Sequence, residues 1–292
     1  MTRQQRAYLY AVTTVLMWST VAAAFKLTLR RLSPIPLLFY ANIVSIVCLL
    51  LVLIGQNRVS ILLQYSRRDV ARCAVLGFLN PFLYYLILIK AYDLLPAQEA
   101  QPLNYTWAIT LAILSVPLLG QKLTAKDIVA ILISYFGVVV IATRGEPWSL
   151  RFTNTAGVML ALGSTVIWAL YWIFNMKAGN DPVANLLLNF IFGLPFVALA
   201  TCLLSDPFAV SVQGLVGAAY IGLFEMGIAF VLWLNALKLS DSTARVSNLI
   251  FFSPFLSLVF ISVFVGEKIS PSSIAGLVLI VVGNVIQRYK GR

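Results

Sequence analysis

The amino-acid sequence predicts an all-α integral membrane protein whose ten transmembrane helices form two inverted five-helix repeats. Three observations lead to this prediction: an apolar composition, ten apolar segments of spanning length, and a short signature that occurs once in each half. The distribution of basic residues then predicts the orientation of the chain in the membrane.

The composition is that of a protein with little surface in water. Of 292 residues, 61% are apolar and only 11% are charged. A soluble domain carries about 25% charged residues, because its surface must be hydrated. Most of the outer surface of this chain is therefore expected to face lipid.

Ten apolar segments are long enough to cross a bilayer, which takes about 20 residues as a helix. They do not alternate residue by residue, as strands of a lipid-facing barrel would. The longest polar interval, Gln56 to Arg72, is interrupted by three apolar residues and is expected to lie along the membrane surface. We predict helices at roughly 7–30, 34–56, 70–92, 95–119, 124–143, 154–177, 182–204, 210–238, 241–265 and 271–288.

An internal repeat divides the chain into residues 1–146 and 147–292. Gly120-Gln121-Lys122-Leu123-Thr124 in the first half matches Gly266-Glu267-Lys268-Ile269-Ser270 in the second, and the same offset of 146 residues relates Gly137 to Gly283. Five helices per half is an odd number, so the second half must enter the membrane from the opposite side. Such inverted repeats suit alternating access.

The basic residues predict that both termini are cytoplasmic. With that orientation, 14 of the 21 Lys and Arg residues fall on the cytoplasmic side, in agreement with the positive-inside rule. The amino-terminal MTRQQRAYLY leads into an apolar span without a cleavage site, so the first helix is expected to be retained. We predict a multi-pass protein of the inner (plasma) membrane. The opposite side receives Lys26, Arg30, Arg31, Lys90, Arg144, Arg151 and Lys268.

Several functional classes are disfavoured. The net charge of +11 lies at helix ends rather than on one face, which argues against nucleic acid as a partner. The chain has no histidine and three cysteines, Cys48, Cys73 and Cys202, so no metal, cofactor or disulfide framework is expected. The scattered acidic residues make an intramembrane enzyme acting on lipid-linked substrates a less favoured alternative. A monomer is expected, since each chain carries both repeats.

Three sequence features resemble the drug/metabolite transporter superfamily. They are Trp18-Ser19 with Lys26 in helix one, the Gly-Gln/Glu-Lys turns before helices five and ten, and Pro254 in helix nine. Within it the chain resembles the ten-helix EamA-type exporters and, among these, YddG-like aromatic amino acid exporters. One departure is that Ser19 and Ala169 stand where glycine commonly follows the tryptophan. The resemblance implies export of small amphipathic metabolites, aromatic and other amino acids first; a drug, sugar-phosphate or nucleotide-sugar substrate is the alternative.

Glu225 is the most costly residue to bury, because it lies near the middle of helix eight. A carboxylate at that depth costs about 2.5–3.5 kcal/mol on insertion scales, so it should face the bundle or a wet cavity. It could couple transport to protons or bind a substrate amine. Alternatively, it could pair with Lys26 or remain protonated and hydrogen-bonded. Lys26 itself could meet a substrate carboxylate or extend its amine to the interface.

A central cavity is predicted between helices one, three, four, six, eight and nine. Deep aromatic and amide side chains would bury a ring and orient a polar end. Prolines within the spans free backbone carbonyls and mark hinge or cavity positions. The predicted substrate-binding residues are Trp18, Lys26, Asn80, Tyr84, Gln101, Asn104, Trp107, Trp168, Trp172 and Glu225, and the hinge candidates are Pro81, Pro102, Pro195 and Pro254.

Overall fold

The computed structural model describes residues 1–120, 124–149, 152–176, 180–206, 208–240, 246 and 248–288. Over these residues the chain is helical and contains no strand. Eight helices are long and apolar enough to cross a membrane, and two shorter apolar helices complete a set of ten. In chain order, α1 to α10 are Arg3–Leu29, Pro34–Gly55, Arg67–Leu94, Ala97–Leu119, Ala125–Ala142, Thr155–Asn175, Pro182–Leu204, Val212–Leu239, Leu249–Val265 and Pro271–Ile286.

The predicted all-α fold with ten apolar helices is confirmed. The predicted bounds of nine helices fall within four residues of the observed ones. The predicted start of α9, residues 241–245, lies outside the described part of the chain, as does the Gln121-Lys122-Leu123 turn. The polar interval between α2 and α3 contains a short 3-10 helix, Val59–Gln64, in which Leu63 is 89% exposed.

Local side-chain chemistry explains where several helices begin and end. The side chains of Thr2, Ser66 and Thr124 each accept a hydrogen bond from the backbone amide of the third residue of the following helix, and the side chain of that residue accepts one from the backbone amide of the cap. These capping boxes satisfy amides that have no partner within the helix. Gly120 and Gly266, the repeat-related glycines, both adopt left-handed backbone angles, with φ of 66° and 79°. Glycine tolerates this conformation at helix ends.

Four of the helices depart from regular α-helical geometry, three of them near the middle (α3, α4 and α8) and α9 at its start. In α3, Asn80 has non-helical angles (φ −147°, ψ 116°) immediately before Pro81. In α4 the helix stops at Asn104 and resumes at Trp107, and in α8 it stops at Phe224 and resumes at Ile228. In α9 a 3-10 turn, Asn248–Phe252, precedes an α-helical segment. Interrupted helices at membrane depth are tolerated where they face protein or a cavity.

The hinge candidates lie differently with respect to these interruptions. Pro81 follows the break in α3, Pro102 lies one turn before the break in α4, and Pro254 begins the α-helical segment of α9. Pro195 lies inside α7, which runs as one helix from Pro182 to Leu204. A hinge role for these prolines remains a prediction.

Helix packing follows the exchange expected of an inverted repeat. α1 packs against α8 and α9, while α6 packs against α3 and α4. α2 packs against α8, and in the same way α7 packs against α3. Two further contacts, α2 with α7 and α5 with α10, join helices that correspond to each other in the two halves. Exchanging each helix with the helix five places along converts one set of contacts into the other. The interruptions obey the same exchange, since α3 corresponds to α8 and α4 to α9.

The α5–α10 contact shows the two-fold relation at single residues. A Cβ atom at Gly137 would lie 2.6 Å from the carbonyl oxygen of Gly276, and one at Gly283 would lie 2.6 Å from that of Ala130. Gly137 and Gly283 differ by 146 positions, as do Ala130 and Gly276. Small residues allow such close approach of helices in lipid. The predicted repeat is therefore visible in the packing of the two halves.

Candidate functional site

A cavity of about 300 Å³ lies within the bundle, at the lower end of the range usual for small-molecule pockets. Its lining comes from α1, α3, α4, α6, α8 and α9, the six helices predicted to form it. Aromatic side chains make up ten of its nineteen lining residues. The aromatic residues are Trp18, Phe25, Tyr84, Tyr92, Tyr105, Trp107, Trp168, Trp172, Phe230 and Trp233.

Eight of the ten predicted substrate-binding residues line this cavity. They come from five helices and are brought together by the interruptions in α4 and α8 and by the α1–α8 and α3–α6 contacts. Asn80 and Lys26 are not in the lining, although Asn80 is fully buried at the break in α3. The eight are Trp18, Tyr84, Gln101, Asn104, Trp107, Trp168, Trp172 and Glu225.

The rings form a continuous wall centred on Trp168 and Phe230. Trp168 stacks on Tyr84 with ring centroids 4.6 Å apart and meets Phe230 at 6.0 Å. Phe230 meets Trp18 at 5.6 Å, and Trp18 contacts Trp233 at 5.6 Å. Trp18 and Trp168, the tryptophans of the first helix of each half, therefore reach the same ring of α8. Such a wall can bury one aromatic ring of a ligand.

Glu225 lies at the break in α8 and reaches the cavity. Its backbone amide ends the first segment of α8 by donating to Ile221, and the side chain accepts a hydrogen bond from the hydroxyl of Tyr85 at 3.1 Å. The indole Nε1 of Trp18 donates to the Glu225 carbonyl oxygen at 3.4 Å. Within the described residues, no Lys or Arg nitrogen lies within 4.0 Å of this carboxylate. The alternative of a Glu225–Lys26 pair is not formed.

Amides occupy another part of the cavity wall. The side-chain amide of Asn104 donates to Ser164 at 3.0 Å, and its oxygen accepts a weak hydrogen bond from Tyr84 at 3.4 Å. Gln101 is only 4% exposed, and in the part of the chain that the structure describes its Oε1 has no hydrogen-bond partner. The same holds for the buried Nε1 of Trp172. A buried acceptor and a buried donor are thus available to a ligand.

Lys26 holds the end of α1 against the end of α3. Its ammonium donates to the carbonyl oxygen of Tyr92, in the last turn of α3, at 2.6 Å and to that of Leu95, the residue after α3, at 2.7 Å. A cation at a helix carboxyl terminus also interacts favourably with the helix dipole. Lys26 therefore lies outside the cavity lining, at the end of the bundle where α1 and α3 finish, which we call the far end.

The Gly-Glu-Lys turn of the second half is hydrogen-bonded to the start of α4 at the same end of the bundle. The Glu267 carboxylate accepts hydrogen bonds from the backbone amides of Ala97 at 2.9 Å and Gln98 at 3.2 Å, which begin α4. The Gln98 side chain in turn accepts a hydrogen bond from the backbone amide of Ser270 at 2.7 Å and donates one to the carbonyl oxygen of Lys268 at 2.9 Å. We call Lys26, Gln98, Glu267 and their partners the far-end seal.

The opposite end is joined by contacts between the α2–α3 connection and α7. Arg58 pairs with Asp181 at 2.7 Å, and the Tyr65 hydroxyl donates to Asn185 at 2.7 Å. Burial raises the pKa of the Tyr65 phenol, so it stays a neutral donor. Among the described residues, no group of three His, Cys, Asp or Glu side chains is placed to hold a metal ion.

The lining contains residues that the sequence analysis did not select. Phe25 and Tyr92 extend the stripes of Trp18 and Tyr84 by helical spacing, and Trp233 lies on the Glu225 stripe. Phe230 carries no comparable sequence signal, because a phenylalanine in an apolar helix packs equally well against lipid. Only its contacts with two tryptophans identify it.

Known proteins resemble the chain along most of its length. The EamA-like transporter family matches residues 5–143 and again residues 155–287. An uncharacterized transporter of Bacillus subtilis (strain 168), YvbV, is 25% identical over 95% of this chain and 90% of its own length. The aromatic amino acid exporter YddG of Ancylobacter novellus is 24% identical over 55% of this chain and 56% of its own.

A solved structure has the same fold. That crystal structure superposes with a TM-score of 0.68 over 97% of this chain and 96% of its own chain, at 22% sequence identity. The similarity concerns the arrangement of helices alone.

Proposed function

The chain belongs to the EamA-like transporter family, and from this premise we propose that it exports small amphipathic metabolites, ring-bearing ones above all, by alternating access. Aromatic and other amino acids are the first candidate class, since a distant relative is an aromatic amino acid exporter. The proposed location is the inner (plasma) membrane, with both termini cytoplasmic and a monomer as the working unit. The observation that carries the proposal is the aromatic cavity lined by residues of six helices.

The cavity suits a small amphipathic solute. Its wall of stacked and edge-on rings offers apolar contact to a ring, and Gln101, Trp172 and Glu225 offer polar partners. Sites of this kind gain affinity from the apolar wall and specificity from a few polar groups. A large, highly charged solute such as a sugar phosphate would find few partners for its charges.

The inverted repeat supports alternating access. The interruptions in α3, α4 and α8 divide these helices at the depth of the cavity, so that each end can move separately. We propose that the halves 1–146 and 147–292 exchange conformations around the cavity and that the far-end seal opens in one of the two states. Rocking of one repeat against the other is the usual mode for such folds.

Flux in proteoliposomes tests the proposal. Purified protein would be reconstituted, and saturable uptake of labelled tryptophan, phenylalanine and phenethylamine would be compared with that of threonine and an unrelated sugar. Protein-dependent, saturable flux of a ring-bearing solute is expected. If none of the three ring-bearing solutes moves faster than in protein-free vesicles, the proposed substrate class is wrong.

The coupling of transport to protons is tested by Glu225→Gln. If Glu225 exchanges a proton with substrate, flux should respond to a pH gradient in the original protein and lose that response in the variant. Glu146→Gln, an exposed glutamate in the α5–α6 connection, is the matched control. Flux that ignores the gradient in all three proteins would identify a uniporter.

A further inference from the structure

The cavity carries an unbalanced charge. Of its nineteen lining residues, all within the described part of the chain, Glu225 alone is ionisable as an acid or base near neutrality, and none is Lys or Arg. Its lining otherwise consists of rings, aliphatic side chains and two amides. Any fixed charge that the site presents to a ligand is therefore negative.

The lysine next to the cavity lining along α1 is bound elsewhere. Lys26 directly follows the lining residue Phe25, but its ammonium is held by two carbonyl oxygens at 2.6 and 2.7 Å. The described ion pairs lie at helix ends, at Arg58–Asp181, Lys90–Asp93 and Arg144–Glu99. A ligand anion in the cavity would have neutral donors such as Trp172 Nε1, and no charged partner from the described lining.

An organic ammonium group fits the same surroundings well. Five tryptophans line the cavity, and the face of an indole ring attracts a cation through its quadrupole more strongly than the face of any other aromatic side chain. Glu225 supplies a carboxylate, and the unpartnered Oε1 of the 4%-exposed Gln101 supplies a further acceptor. Aromatic cages of this composition recognise alkylated ammonium ions.

A free carboxylate on the ligand has the opposite effect. Moving an ion out of water into an apolar site costs several kcal/mol unless a partner of opposite charge compensates. A zwitterionic amino acid would bring an ammonium group that the cavity satisfies and a carboxylate that it does not. The ring contributes equally to both kinds of ligand, so the difference rests on the carboxylate.

We propose that the cavity selects ring-bearing organic cations, amines without a free carboxylate, over aromatic amino acids of the same ring. This inference rests on the proposed transport function and narrows its substrate class. Glu225 and Gln101 receive the ammonium group, and the wall of Tyr84, Trp168 and Phe230 receives the ring.

A matched ligand series tests the inference with the full-length protein in detergent. The probes are phenethylamine, its permanently charged N,N,N-trimethyl derivative, phenylalanine and 3-phenylpropionate. Binding is read by titration calorimetry and by the fluorescence of the five tryptophans that line the cavity. We expect the two cations to bind at least about tenfold more tightly than phenylalanine, and 3-phenylpropionate to bind weakest.

Substitution of Glu225 tests whether this residue causes the preference for cations. Glu225→Gln should abolish the advantage of the cations, whereas the surface control Glu146→Gln should retain it. The ligand series in the unaltered protein decides the matter even if Glu225→Gln does not fold. Counterflow of the trimethyl derivative in proteoliposomes adds a transport readout that passive diffusion of a neutral amine cannot imitate.

The relative affinities of the four probes decide between the inference and its alternatives. Phenylalanine binding as tightly as phenethylamine overturns the inference and leaves the proposed transport of ring-bearing solutes standing. Binding of none of the four probes overturns both the inference and the proposed substrate class.

Discussion

At the scale of single residues, two buried polar atoms of the cavity have no hydrogen-bond partner among the described residues. Gln101 Oε1 and Trp172 Nε1 are both excluded from solvent. An unmade hydrogen bond of this kind costs about 1–3 kcal/mol. Such atoms are candidates for ligand contact, because a ligand can supply the bond that folding leaves unmade.

Trp172→Phe separates the role of the indole N–H from that of the ring. We expect ligand affinity to fall about threefold to tenfold, the worth of one hydrogen bond, while thermal stability stays equal or rises because an unsatisfied donor is removed. Titration calorimetry and a melting curve measure the two effects. Trp148→Phe, at a position 91% exposed, is the matched control. Unchanged affinity would show that Nε1 does not contact the ligand.

Lys26→Met tests whether this residue is structural. Because the ammonium bonds two carbonyl oxygens at the end of α3, its loss should lower the free energy of unfolding by about 1–3 kcal/mol. Ligand affinity in the stable fraction should change little. Lys90→Met, which removes an exposed pair with Asp93, should cost less than about 1 kcal/mol. A selective loss of phenylalanine binding would instead assign Lys26 to the substrate carboxylate.

At the scale of helices, close backbone approach joins α5 to α10. Gly283→Ala places a Cβ atom 2.6 Å from the carbonyl oxygen of Ala130 and against the Ser134 side chain, so the two helices must separate. We expect a loss of about 1–3 kcal/mol in unfolding free energy, the usual cost of overpacking. Thermal denaturation in detergent measures it.

Gly163→Ala provides the control for that substitution. Gly163 lies in α6, and a Cβ atom added there meets nothing within 4 Å. Alanine lowers the conformational entropy of the unfolded chain, so stability should rise by about 0.4–1 kcal/mol. Equal effects of the two substitutions would contradict the packing argument for α5 and α10.

Proline accompanies most, but not all, of the irregular segments of the helices. Prolines mark the breaks in α3, α4 and α9, whereas α8 breaks at Glu225–Gly227 without one. Pro195 shows that proline alone does not end a helix in this bundle, because α7 continues past it. Neighbouring helices can satisfy the freed carbonyl in such a case.

At the scale of the whole molecule, the far-end seal joins α1, α3, α4 and the α9–α10 turn. If transport requires this end to open, tethering it should stop transport without preventing ligand binding. Gln98 and Ser273, whose side chains meet at 3.2 Å, are the positions for the tether.

Gln98→Cys combined with Ser273→Cys makes that test. In a protein whose three native cysteines are replaced, a short thiol-specific cross-linker should reduce saturable flux to the level of protein-free vesicles. Each single cysteine treated with the same reagent should keep most of its flux. Full flux in the cross-linked protein would show that this end does not open during transport.

The sequence predicted much of the cavity because polar groups are expensive in lipid. Glu225, Gln101 and Asn104 had to face the interior of the bundle, and the helical stripe through each then pointed to its neighbours. The place of Phe230 in the cavity could not be predicted from the sequence, because an aromatic ring is equally stable against lipid or protein. Lys26 kept two interpretations because its partners, Tyr92 and Leu95, lie 66 and 69 residues away along the chain.

By itself the sequence determined the all-α membrane fold, the ten helices and the repeat, since apolar length and period are local properties of the chain. Tertiary structure decided which helices meet, which rings form the wall, and that no described cation faces Glu225. Those are contacts between residues far apart along the chain, such as Tyr85 with Glu225 or Trp18 with Phe230. Apolar helices offer many equivalent partners in lipid, so local sequence cannot choose among them, and only the packed bundle does.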